Sequence, residues 1–135
     1  MRVVLDTNVL VSALLVPGGI PARVLRQFRD GLWELAVSGK IFEEYGEVLG
    51  RRKFALPADL IAGILEEIEM RSIKIIPSKR YRAVRDPDDD EFIDVAVEAG
   101  AGFIVSGDPD LLILGTFHEV AILSPSSFLE QHPSP

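Results

Sequence analysis

Short apolar runs alternating with segments of helical period constrain this chain more than any other feature. Val3-Val4-Leu5, Glu34 to Val37, Ile73 to Ile76, Gly102 to Ser106 and Val120 to Leu123 are strand-length. Between them lie segments with helical spacing: Asn8 to Leu15, Pro21 to Gly31, a Ser38-capped stretch to about Arg52, and Pro57 to Met70. A further helix is expected over about Asp88 to Ala99, with Asp88 and Glu91 in capping-box positions. One helical turn follows at Leu111 to Leu114, and a short terminal helix starts at Ser124 or Ser126. Strands that alternate with helices predict an α/β fold around a parallel sheet. At 135 residues the chain suits one domain, expected over 1–132 with a tail at 133–135.

Composition removes several chemistries. There is no Cys, which excludes disulfides, a thiol nucleophile, thiolate zinc sites and iron–sulfur clusters. Asp6 interrupts the first apolar run too early for a signal peptide, and no run approaches the ~20 residues of a membrane-spanning helix. A cytoplasmic protein with no membrane partner is the expectation. The net charge of −7 disfavours a nucleic-acid partner, but its distribution tempers that. No acid occurs from Met70 to Arg85, where six basic residues fall, and Asp86 to Glu91 follows with five acids.

Two strands end on acids: Leu5 precedes Asp6, and Ser106-Gly107 precedes Asp108. In open parallel sheets, ligands bind beyond the carboxyl ends of strands. Asp108 before Pro109 also suits a helix N-cap. In the third helix, the stripe of Ile41, Phe42, Tyr45, Val48 and Leu49 places Glu43 and Glu47 opposite it at about 100° per residue, with Glu44 at its margin. One of Asp88 to Asp90 adds a fourth carboxylate, and helical phase does not choose among them. Four oxygen donors, with His118 and His132 isolated in late segments, suit Mg²⁺ or Mn²⁺ better than Zn²⁺.

The order of these residues resembles the PIN-domain ribonucleases, including VapC-like toxins of toxin–antitoxin pairs. Val3 to Leu10, with Asp6-Thr7-Asn8, is similar to that family's first motif; Ser38 followed by Glu44 is similar to its second. Asp90 to Ala96, leading into Ile104 to Asp108, resembles the third and fourth. The eighteen-residue spacing to Asp108 favours Asp90 over Asp88 and Asp89. The resemblance implies a three-layer, Rossmann-like α/β/α fold with about five parallel strands. It implies an endoribonuclease whose Asp6, Glu44, Asp90 and Asp108 bind Mg²⁺ or Mn²⁺ and carry catalysis. Asn8, Ser106 and Asp110 would support them. Arg51, Arg52 and Lys53, with Lys79, Arg80, Arg82 and Arg85, would contact RNA phosphates. Expected partners are RNA, a cognate antitoxin and a second copy of the chain, paired through the aliphatic 57–70 helix.

Two other readings compete. A haloacid-dehalogenase-like phosphatase needs an acid two residues after the first, where this chain has Asn8. A non-catalytic PIN fold acting as an RNA- or protein-interaction module is the stronger rival.

Overall fold

The computed structural model describes residues 1–84 and 87–135, and of Pro87 and Asp88 the backbone alone. Arg85 therefore lies outside the described residues, as does the Asp88 side chain. The elements are β1 (Arg2–Leu5), α1 (Thr7–Leu15), α2 (Ile20–Arg29), β2 (Glu34–Val37), α3 (Gly39–Leu49), α4 (Ala58–Arg71) and β3 (Ile73–Lys74). There follow α5 (Pro87–Ala99), β4 (Phe103–Val105), α6 (Pro109–Leu112), β5 (Thr116–Phe117), β6 (Val120–Leu123) and α7 (Pro125–Gln131). A single 3₁₀ turn, Arg52–Phe54, joins α3 to α4.

The strands form one sheet in the order β3-β2-β1-β4-β6-β5, parallel except where β5 runs against β6. The chain steps outward from β1 to β2 and β3, then returns along α5, which contacts β2, β1 and β4. The strand order therefore reverses between β1 and β4, where such sheets open a crevice at their carboxyl ends. Leu5 is level with Val105 across that pair, so Asp6 and Ser106 leave the sheet side by side.

Apolar burial explains why β1 and β4 are central. Val3, Val4, Ile104 and Val105 have no exposed surface, and α1 and α5 supply Leu10, Phe92, Val95 and Ala96 to the same core. At the other end, Trp33 packs on Phe28 and Phe128 with ring centroids 5.5 and 6.3 Å apart. Buried Gln27 accepts from Trp33 Nε1 at 3.3 Å and donates to the His132 carbonyl at 2.7 Å, tying α2 to the C-terminal segment. Among the described residues no single helix is long and apolar enough to cross a membrane.

The sheet has six strands where about five were expected. The addition is β5, folded back on β6 through His118 and Glu119, both with positive φ (47° and 68°). The helix α5 begins at Pro87, one residue before the expected start. The Asp88 half of the expected capping box lies outside the described residues, and the Glu91 carboxylate accepts from Ser38 and Arg80.

Candidate active site

Asp6 follows β1 and serves as N-cap residue of α1, with only 5% of its surface exposed. Its Oδ2 accepts a hydrogen bond from the Ser106 hydroxyl at 2.7 Å. Ser106 is fully buried at the end of β4, and its Oγ also accepts from the Asp108 N–H at 2.9 Å. Asp108 in turn caps α6, accepting from the Asp110 N–H through Oδ1 at 2.9 Å. Capping and membership of the strand-edge cluster are thus both true of Asp108.

Glu44 reaches the same edge from α3. Glu43 and Glu47 are exposed while Glu44 is half-buried, the margin position that its helical phase predicts. The hydroxyl of buried Thr7 donates to Glu44 Oε2, joining α1 to α3. Tyr45, the next residue, is completely buried and donates its phenolic hydrogen to the Leu5 carbonyl at 2.6 Å. The sequence alone singles out neither Thr7 nor Tyr45. A hydroxyl directly after the strand-end acid was the available signal for Thr7; Tyr45 reads there simply as the centre of an apolar stripe.

Asp6 senses its surroundings. Burial pushes the Asp6 carboxyl above its ordinary value, and the charges of Asp108 and Glu44 push the same way. The Ser106 hydroxyl and the neighbouring Asn8 N–H pull in the other direction. Burial, followed by the charges of Asp6 and Glu44, holds the Tyr45 phenol well above its usual range, so it remains a donor.

Asp90 stands differently. Its Oδ1 accepts from the Ala83 and Val84 N–H groups, both at 3.0 Å. Those bonds belong to a ladder in which α5 acids four residues apart grip the preceding loop. Asp94 Oδ1 accepts from the Tyr81 N–H at 2.8 Å, and Glu98 Oε1 from the Ser78 N–H at 2.9 Å. The Ser78 hydroxyl and N–H hold Glu98 below the usual carboxylate range. Glu91, also buried, accepts from the Ser38 hydroxyl at 2.6 Å and from Arg80 at 2.7 Å. Ser38 Oγ accepts from the Ile41 N–H, so this chain of bonds ends on the N-terminus of α3.

The basic candidates divide. Arg80 is spent on Glu91 and Asp94, whose bonds, that of Asp94 foremost, hold its guanidinium above its ordinary value. Arg51 pairs with Glu47 at 3.0 Å, and Lys53 lies over the Phe54 ring. Arg52, Lys79 and Arg82 are exposed. Asn8 is exposed beside Asp6, and Asp110 sits half-buried in the first turn of α6.

Among the described residues, no three His, Asp or Glu side chains stand close enough together to hold one metal ion. Asp6, Glu44 and Asp108 are instead turned onto Ser106, Thr7 and the Asp110 N–H. As a donor set they nevertheless fit a hard divalent cation: carboxylates at one sheet edge, with mutual repulsion that a cation would remove.

Comparison with known proteins agrees with this architecture. The chain is 37% identical over 117 residues to an uncharacterized protein of Methanocaldococcus jannaschii, covering 84% of this chain and 75% of that protein. A family model described as PIN domain matches residues 2–110, the span that holds all four acids. Proteins of that family are often nucleases, and these generally use divalent metals. The chain belongs to the PIN domain family.

Proposed function

We propose that this protein is a metal-dependent endoribonuclease that hydrolyses RNA phosphodiester bonds at the β1–β4 edge. The observation that carries the reading is the convergence of Asp6, Glu44 and Asp108 from three separate segments: Ser106 bridges Asp6 to the Asp108 backbone, and Thr7, next to Asp6, bonds to Glu44. Asp6, Glu44 and Asp108 would hold Mg²⁺ or Mn²⁺, with Asp90 as fourth acid. When bound, such a cation supplies an activated water and stabilises the charge that develops on the phosphodiester.

The chain's own residues prepare that edge. Ser106 fixes the orientation of Asp6, Thr7 that of Glu44, and Tyr45 pins the carbonyl of Leu5 immediately before Asp6. Asn8 and Asp110 flank the acids as supporting polar groups. Arg52, Lys79 and Arg82 are the basic side chains best placed to meet RNA phosphates, because Arg80 and Arg51 have acidic partners.

The test is cleavage of single-stranded RNA with Mn²⁺ or Mg²⁺, with products ending in 5′-phosphate and 3′-hydroxyl. Activity that survives EDTA, or products ending in a 2′,3′-cyclic phosphate, overturns the reading. The toxin role, with a cognate antitoxin in the cytoplasm, rests on the resemblance to VapC-like proteins. A small DNA-binding protein encoded next to this gene supports it.

A second reading has one observation behind it, since each acid is turned onto a protein donor. A non-catalytic module for RNA or protein would leave the melting temperature insensitive to Mn²⁺. The nuclease reading expects Mn²⁺ to stabilise the wild type but not Asp6→Asn.

A further inference from the structure

A cleft of about 480 Å³ opens directly beside Asp108, within the size range of small-molecule sites. Val9, Pro21, Pro109 and Pro125 give it apolar walls, and Asn8 and Ser12 give it polar groups. Among the described residues, Asp108 is the one ionisable side chain on its lining. The cleft on the other flank, at Lys40, Arg80 and Arg82, is faced equally by Asp90, Glu91 and Asp94. Three cations stand there against three anions, and Arg80 is already paired with Glu91 and Asp94.

Gly107 lies on the same lining. Its φ lies outside the left-handed region, and a Cβ built there would meet no atom within 4 Å. The backbone therefore has no need of glycine at this position. Gly107 lines the cleft, and lacking a side chain it leaves the backbone open to a ligand there.

We propose that this cleft seats the nucleobase of the nucleotide whose phosphodiester lies at Asp6, Glu44 and Asp108. The inference rests on the nuclease reading above and names the part of the substrate that the protein reads. A phosphate is disfavoured there, because the lining offers no cation and one carboxylate. A base is uncharged, presents flat faces to apolar ring edges, and carries donors and acceptors on its rim. The Asn8 amide offers both a donor and an acceptor to that rim.

Neutral nucleosides test this without repulsion from the acids. Adenosine, cytidine and uridine are titrated into ¹⁵N-labelled protein in EDTA, with ribose as the base-free control. The expected result is saturable amide shifts at Asn8, Ser12 and Gly107 from nucleosides and none from ribose. Gly107→Leu adds bulk at the lining and should weaken binding about tenfold or more, a loss of about 1.4 kcal/mol, with the melting temperature unchanged. Should that variant fail to fold, Ser12→Leu fills the cleft from α1 and should give the same loss. Equal shifts from ribose, shifts confined to other residues, or full binding by the filled variants overturn the proposal. Mn²⁺-dependent RNA cleavage is scored separately on the unaltered protein. Cleavage with a silent cleft overturns this inference alone, whereas absence of cleavage overturns the nuclease reading.

Discussion

Ser106 donates to Asp6 across one hundred residues of sequence, and the same oxygen accepts from the backbone of Asp108. One hydroxyl thus sets the spacing of two strand-end acids. Replacing a group that orients a metal-binding carboxylate typically costs 10- to 100-fold, so Ser106→Ala should lower Mn²⁺-dependent RNA cleavage by about tenfold or more. Ser106→Thr keeps the hydroxyl and should retain most of the rate. Initial rates at saturating Mn²⁺ separate the two.

Asp6 makes stability depend on pH in a stated direction. Its carboxyl is raised above 3.8 in the folded chain, mainly by burial, so the folded state binds that proton more tightly than the unfolded state. The stability it contributes is full below the ordinary value of 3.8 and is lost as pH rises through the raised one. Asp6→Asn should therefore melt above wild type at pH 7 in EDTA, and the gap should close near pH 3.5. A variant that melts lower at pH 7 would mean that the charge-assisted bond from Ser106 outweighs burial.

Asp90 and Asp108 should separate in a urea melt. Asp90→Ala removes the acceptor of two backbone N–H groups and should cost about 1–2 kcal/mol. Asp90→Asn retains Oδ1 and should lose less. Asp108→Asn in EDTA keeps an oxygen for the Asp110 N–H while removing repulsion on Asp6, and should be close to neutral.

Tyr45→Phe tests the support beneath the site. The change leaves the buried Leu5 carbonyl without its phenolic donor, which should cost about 1–3 kcal/mol. Denaturant melts give the loss, and an unchanged midpoint would mean that solvent or repacking satisfies the carbonyl.

Self-association is the remaining expectation. Ile64 and Ile68 of α4 are consumed by the core, which leaves Leu60 exposed at a groove that it lines with Leu14, Pro17 and Leu25. Sedimentation at micromolar concentration should show a dimer, and Leu60→Glu should shift it to monomer. A wild-type monomer removes this expectation without touching the site.

What could be read from sequence follows the range of the forces involved. Asp6, Asp108 and the phase of Glu44 are legible because strand ends and helical period are local properties. Ser38 as cap of α3 and Asp108 as cap of α6 are legible for the same reason. The bonds of Glu91 to Ser38 and Arg80 are not legible, because those partners lie 53 and 11 residues away. Strand β5 escaped because its turn uses His118 and Glu119 at positive φ, where glycine or asparagine is the usual sign. The acid ladder of α5 looks in sequence like a solvated charged face; only the fold shows which N–H groups it meets.

The central placement of β1 and β4 has a kinetic meaning. Each is hydrogen-bonded to a neighbour on both sides, whereas β3 and β5 are two-residue strands at the sheet margins. Margins fray by local opening, but interior strands release their amide hydrogens only when the whole molecule opens. Hydrogen exchange at Val4, Leu5, Ile104 and Val105 should therefore report global unfolding. The backbone from which the acids leave these strands keeps its register for as long as the native state itself lasts, so binding at this edge has only side chains to turn.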